Sequence, residues 1–105
     1  MYYTVSARLK TERAGEFLVR LADGSIQRQE PDGEEIVASM QRARVDETGI
    51  VRWSEVCYCP TPLQHERETV YDHFFTDLET QEAVAYVHFD GEPFLDYLQR
   101  AAKSE

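Results

Sequence analysis

Basic side chains are scarce in this chain: 11 lysines and arginines stand against 20 aspartates and glutamates, a formal net charge of −9. That balance repels phosphate backbones and anionic lipid, and so argues against nucleic-acid and membrane-surface partners. Arg42, Arg44 and Arg52 form the one basic cluster that opposes it. Long apolar runs are also missing. No stretch approaches the roughly 18 residues of a membrane span. The start, Met1-Tyr2-Tyr3-Thr4-Val5, lacks the basic and apolar segments of an export signal. Cysteine occurs only twice; without an export signal the expectation is reduced thiols in a cytoplasm. There is no Gly-rich phosphate loop, no His-Glu-x-x-His pair and no Gly-x-Ser-x-Gly elbow. Their absence removes most of the support for nucleotide hydrolysis, zinc proteolysis and common serine hydrolase chemistry.

What is present fits one domain over residues 1–105. Apolar residues make up 42% and charged residues 30%, an ordinary globular mix, and six Tyr, five Phe and one Trp supply core bulk. A domain of this size buries roughly two-thirds of its unfolded surface, enough to stand alone while gaining from a partner.

Periodicity suggests the elements. Tyr3, Val5, Ala7 and Leu9 alternate with Tyr2, Thr4, Ser6 and Arg8, a strand with one buried face. Ala14, Phe17, Leu18 and Leu21 fall at helical spacing, with Asp23-Gly24 to end the helix; a helical tail to Gln29 and a Phe17–Gln29 hairpin are the two continuations. Asp46-Glu47-Thr48-Gly49 predicts a hairpin of Glu35–Val45 with Ile50–Cys59, Val45 opposite Ile50; Ile36, Val37 and Met40 also suit a helix, the competing reading. One row of the second strand holds Val51, Trp53, Glu55 and Cys57. Thr61 as N-cap and Pro62 as first residue predict a helix whose stripe is Leu63, Val70, Tyr71, Phe74, Phe75 and Leu78. Ala83–Phe89 reads as the last strand, and Phe94, Leu95, Tyr97 and Leu98 as a final helix. The predicted fold class is α+β: a ferredoxin-like βαββαβ domain, a four-stranded antiparallel sheet with two helices on one face, plus a C-terminal helix.

That order, in a short chain whose first strand begins at Tyr2, resembles the dimeric α+β-barrel superfamily of YCII-related and muconolactone-isomerase-like proteins. The resemblance implies a homodimer paired through open sheet faces, with a small-molecule pocket in or beside the barrel. His65, His73 and His88 do not match the context of the His/Asp pair associated with YCII-like members. The stretch Cys57–Asp72, with Pro60-Thr61-Pro62-Leu63 and His65-Glu66-Arg67-Glu68, resembles a small bacterial family without an assigned activity.

Several residues are candidates for chemistry. Glu55, a carboxylate in an apolar row, suits a general acid or base, unless Arg42 pairs with it across the strands. His88 and Tyr86 fall on the polar row with Arg8, where they can line an open sheet face and hold a small acidic molecule. Thr61, His65 and Arg67 near a helix start can bind an anion, or simply cap and solvate it. Cys59, just before that helix, is a candidate for thiol-redox chemistry or a packing thiol. Cys57 and Cys59, roughly 6.6 Å apart along a strand, are too close in sequence for the usual metal-ligand gap, and neither a metal nor another cofactor is expected. The function classes carried forward are a small-molecule-binding protein or cofactor-free enzyme, a protein-interaction module without catalysis, and a thiol-redox protein.

Overall fold

A computed structural model describes residues 1–104. The fold is α+β, built on a five-stranded antiparallel sheet of order β4-β1-β3-β2-β5. Strand β1 (Tyr2–Leu9) buries Tyr3, Val5, Ala7 and Leu9, as its alternation predicts. It pairs on one side with β3 (Ile50–Val56), Val5 opposite Trp53 and Tyr3 opposite Glu55. Its other side pairs with β4 (Phe75–Ala83), with a register shift between Ser6 and Arg8 where Asp77 takes a φ of 56°.

Helix α1 (Ala14–Ala22) follows a short 3-10 turn, Thr11–Arg13, and buries Ala14 and Phe17. Residues 24–29 form turns, so both predicted continuations are replaced; Ile26 is buried there and anchors the loop. The expected first arm of the hairpin is instead helix α2 (Gly33–Arg42), which buries Ile36, Ser39 and Met40. Glu34 and Glu35 in its first turn and Arg42 in its last suit the helix dipole. Only Arg44–Val45 remains as β2, with Val45 opposite Val51, one residue from the predicted register.

The turn itself is as predicted, and Asp46 holds it. Its carboxylate accepts hydrogen bonds from Thr48 N at 2.9 Å, Thr48 Oγ1 at 2.6 Å, Ile50 N at 3.0 Å and Arg52 Nη1 at 2.7 Å. The Thr48 hydroxyl, then Arg52 and the Ile50 amide, hold this carboxyl well below its usual range. A depressed folded-state value means that the contribution is present above the ordinary carboxylate pKa and is lost as pH falls. Asp46→Asn is therefore expected to lower the melting temperature at neutral pH, with the gap to wild type closing below about pH 4. Parallel melting profiles across that range would contradict this.

The second helical segment, α3 (residues 64–74), runs as an α turn Gln64–Glu66, a π-helical turn Arg67–Tyr71 and an α turn Asp72–Phe74. It begins two residues later than Pro62 predicts. Leu63 sits at φ 57°, and no side chain caps the start, so Thr61 does not act as an N-cap. The helix also stops before Phe75 and Leu78. Those residues enter β4, because β1 has a second edge of amides and carbonyls that needs partners. Asp77, Glu79 and Glu82 charge the outer strand, which protects a sheet edge from adding another chain.

The predicted last strand, 83–89, is not one. Beyond Ala83 the chain must travel from the β4 edge to β5 (Glu92–Pro93) at the opposite edge. Residues 84–91 make that journey as a strap over the sheet face away from the helices. Ser54 Oγ donates to Val87 O and accepts from Val87 N, and the Tyr86 ring meets the Tyr2 ring edge-on at 5.1 Å. Helix α4 (Phe94–Lys103) then packs on α1. The core lies between sheet and helices: Phe17 stacks on Phe74 at 4.3 Å, and Trp53 lies 5.1 Å from Tyr71 and 5.2 Å from Phe75. Trp53 therefore belongs to the core. No helix among the described residues is long and apolar enough to cross a membrane.

Candidate functional site

The inward row of β3 runs Val51, Trp53, Glu55 and continues as Cys57. Glu55 is therefore carried into the core, with no exposed surface. Its Oε1 accepts hydrogen bonds from Trp53 Nε1 and Tyr71 Oη, both at 2.7 Å, while Oε2 has no partner. Burial pushes this carboxyl up to about 8, against the pull of the Tyr71 and Trp53 bonds and with added repulsion from Glu66 and Glu35. Arg42 is not its partner as expected: it binds Glu35 at 3.3 Å and the carbonyl of Ser54 at 3.0 Å.

Next to the end of β3, the first turn of α3 buries Glu66. Cys59 Sγ donates to Glu66 Oε1 at 3.4 Å, and Cys59 N donates to Cys57 Sγ at 3.3 Å. The two thiols are free, and their sulfurs lie within 4.8 Å of each other, closer than the roughly 6.6 Å of an extended strand, because the strand ends at Val56. Burial, with the neighbouring Cys59 and Glu66 side chains, pushes the Cys57 thiol up to about 12. Cys59 faces a carboxylate, not the capped helix start that would activate a thiolate.

The loop before α2 completes the wall. His65 Nδ1 bonds Asp32 Oδ2 at 2.5 Å, and the Asp32 bond raises the imidazole pKa. Gln29 Nε2 fixes the other Asp32 oxygen at 2.9 Å and reaches Thr69 Oγ1 at 2.7 Å. On the opposite side the strap brings Tyr86 Oη to Glu35 Oε2 at 2.9 Å. Between these elements opens a cleft of about 470 Å³, lined by Asp32, Glu35, Cys57, Cys59, Glu66 and Tyr86, with the exposed Tyr58 on its rim. Hollows of about 580 Å³ by Tyr97 and about 870 Å³ by Gln27 are larger, but no buried titratable group lines either. Chemistry favours the smaller cleft.

Of the residues singled out from the sequence, Cys59 and Tyr86 line this cleft, His65 adjoins it through its bond to Asp32, and Glu55 lies behind it. Arg8, Tyr86 and His88 do not line an open sheet face together, because the strap occupies that face, and Glu55 faces the core on the other side. Arg8 instead bonds the Thr48 carbonyl, and His88 is exposed on the strap. Thr61 is exposed and Arg67 pairs with Asp72, so no anion cradle forms with His65. Asp32, Glu35 and Glu66 are the residues that sequence reasoning passed over. Glu66 carried a signal: Leu63, Glu66, Val70 and Phe74 share one helical stripe, which makes it a carboxylate among apolar residues, as Glu55 is in its strand. No protein family, curated protein or solved structure matches this chain.

Proposed function

We propose that this is a small-molecule-binding protein of ferredoxin-like fold whose cleft carries a proton-transferring pair, His65 and Asp32. The carrying observation is the 2.5 Å bond between His65 Nδ1 and Asp32 Oδ2 at the edge of a cleft that also holds the buried Glu66. A carboxylate on one imidazole nitrogen orients the ring and leaves the other nitrogen to exchange a proton with a ligand. The strand order β4-β1-β3-β2 supports the ferredoxin-like reading, with β5 added at the β2 edge, and with it the relation to dimeric α+β-barrel proteins. The carboxylates and thiols of the lining favour a neutral or cationic ligand over the acidic one suggested by Arg8 and His88. A homodimer is part of the same reading, and a second copy would meet the exposed Tyr86 and Val87 of the strap, not bare strands.

The test is a screen of amines, alcohols and carboxylic acids by amide chemical shifts, on reduced protein kept free of metal. Amines or alcohols are expected to move the signals of Tyr58, His65 and Tyr86. His65→Gln should weaken the best of them by roughly tenfold or more, the value of a hydrogen bond to a charged group. Perturbations confined to the Tyr97 hollow, or affinity unchanged in His65→Gln, would overturn the reading. A monomeric mass at micromolar concentration would remove the dimer.

A further inference from the structure

The same cleft holds a set of metal-ligating atoms that proton transfer does not use. Cys57 Sγ, Cys59 Sγ and a Glu66 carboxylate oxygen lie within 4.8 Å of one another. Cys57 and Glu66 are buried, and Cys59 is half-buried on the cleft wall. Asp32, His65 and Glu66 form a second such triple, so Glu66 is shared. Anionic groups outnumber their counter-ions here. The carboxyl groups of Asp32, Glu35 and Glu66 line the cleft, whereas the cationic groups bonded to them among the described residues are His65, on Asp32, and Arg42, on Glu35. Glu66 is buried and bonded to the Cys59 thiol, not to a cation; a buried carboxylate without a cation is costly, and a divalent ion there would offset its charge. The chain also leaves regular α-helix right after Glu66, in the π-helical turn Arg67–Tyr71, a distortion that recurs at functional sites.

We propose that Cys57, Cys59 and Glu66 bind one Zn²⁺ ion, leaving a fourth coordination position for water or a ligand in the cleft beside His65. Two thiolates select a soft or borderline ion such as zinc over magnesium or calcium, which take oxygen ligands. Zinc bonds of about 2.3 Å to sulfur and about 2.0–2.2 Å to oxygen at tetrahedral angles place donors about 3.5–3.8 Å apart, so closing atoms that lie within 4.8 Å of one another around an ion needs movements of about 1 Å or less each. Three protein ligands plus an open position is the arrangement of zinc sites that do chemistry. On binding, each S–H is replaced by an S–Zn bond and its proton passes to the buffer; nothing is oxidised or reduced. This site stands whether or not the cleft takes an organic ligand.

The experiment is a titration of reduced, chelator-treated, full-length protein with Co²⁺, followed by Zn²⁺. The expected result is saturation at one Co²⁺ per chain, with sulfur-to-cobalt charge-transfer absorption and the visible bands of tetrahedral cobalt, all bleached by Zn²⁺. Cys59→Ser should lose part of the charge-transfer intensity and weaken Zn²⁺ binding by more than the roughly 10–100-fold that an outer-shell partner contributes. Glu66→Gln should weaken binding while keeping the sulfur absorption, and His65→Ala should retain one ion per chain. Circular dichroism of each metal-free variant checks that it is folded. The wild type decides the matter even if a variant does not fold: Co²⁺ titration without sulfur charge transfer overturns the site, as does full intensity in a folded Cys59→Ser.

Discussion

Glu55→Gln is expected to remove most of the pH dependence of stability between about pH 5 and about pH 8 in metal-free protein. Burial raises the folded-state value of this carboxyl from the ordinary 4.5 to about 8. A raised folded-state value means that the folded chain holds the proton that the unfolded chain gives up. The stability tied to Glu55 is therefore fully present below the unfolded value and falls as pH rises towards the folded one. Each unit of separation corresponds to about 1.4 kcal/mol, so the loss across the window amounts to a few kcal/mol, with no discount for solvent since the group is buried. The groups that face it all act in the same environment: Trp53 from its own strand, Tyr71 and Glu66 from α3 and Glu35 from α2. Glutamine keeps an oxygen for the Trp53 and Tyr71 donors but cannot ionise. It also puts an NH₂ where Oε2 has no partner, at a pH-independent cost of about 1–3 kcal/mol. The two stability curves should cross: the variant is less stable than wild type near pH 5 and more stable near pH 8, an outcome set by the linkage relation. Urea unfolding with a chelator and a reductant measures this. Wild-type and variant curves that stay parallel would show that Glu55 does not titrate in this window.

Gly33→Ala tests how the cleft is assembled. Gly33 is the first residue of α2 and is buried. A methyl group there would meet the carbonyl oxygens of Ile26 at 2.2 Å and Gln27 at 2.6 Å, both backbone atoms that cannot rotate away. Its N–H also donates to Gln29 O at 2.8 Å, which closes the loop against the helix. Alanine would gain up to about 1 kcal/mol of helix propensity in an open helix. Here that gain is outweighed by an overpacking cost of about 1–3 kcal/mol or more, since the loop or the helix must shift. Asp32 is the neighbouring residue, so the shift also pulls its carboxylate off His65. The expected result is a clear drop in melting temperature together with moved amide signals at Asp32, His65 and Thr69. A variant as stable as wild type, with those signals in place, would mean that the loop yields freely.

Much of the fold was legible from short windows. The two-residue alternation of Tyr3, Val5, Ala7 and Leu9 and the row Val51, Trp53 and Glu55 point inward as read, and the Asp46–Gly49 turn joins β2 to β3. Phe17 and Phe94 sit on buried helix faces. The errors have one cause. Residues 33–42 fit both a helical and an alternating pattern, and a helix won because its stripe of Ile36 and Met40 packs on β3. Phe75–Ala83 shows no apolar alternation at all. It is a strand because β1 offers an unpaired edge, and hydrogen-bond satisfaction is a property of the partner, not of the segment. Once β4 lies on one edge and β5 on the other, the chain between them has to cross the sheet, so 84–91 becomes a strap.

The candidate site divides in the same way. By itself the sequence determined that Glu55 sits among apolar neighbours and that two cysteines fall close together near the end of a strand, because period and spacing are local. Only the tertiary structure decided that Asp32 meets His65 across 33 residues of chain and that Glu66 turns onto the thiols. Those meetings depend on where Gly33 lets α2 begin and where β3 ends. A pairing between distant residues is the outcome of packing whole elements against one another, and no window of a dozen residues contains it.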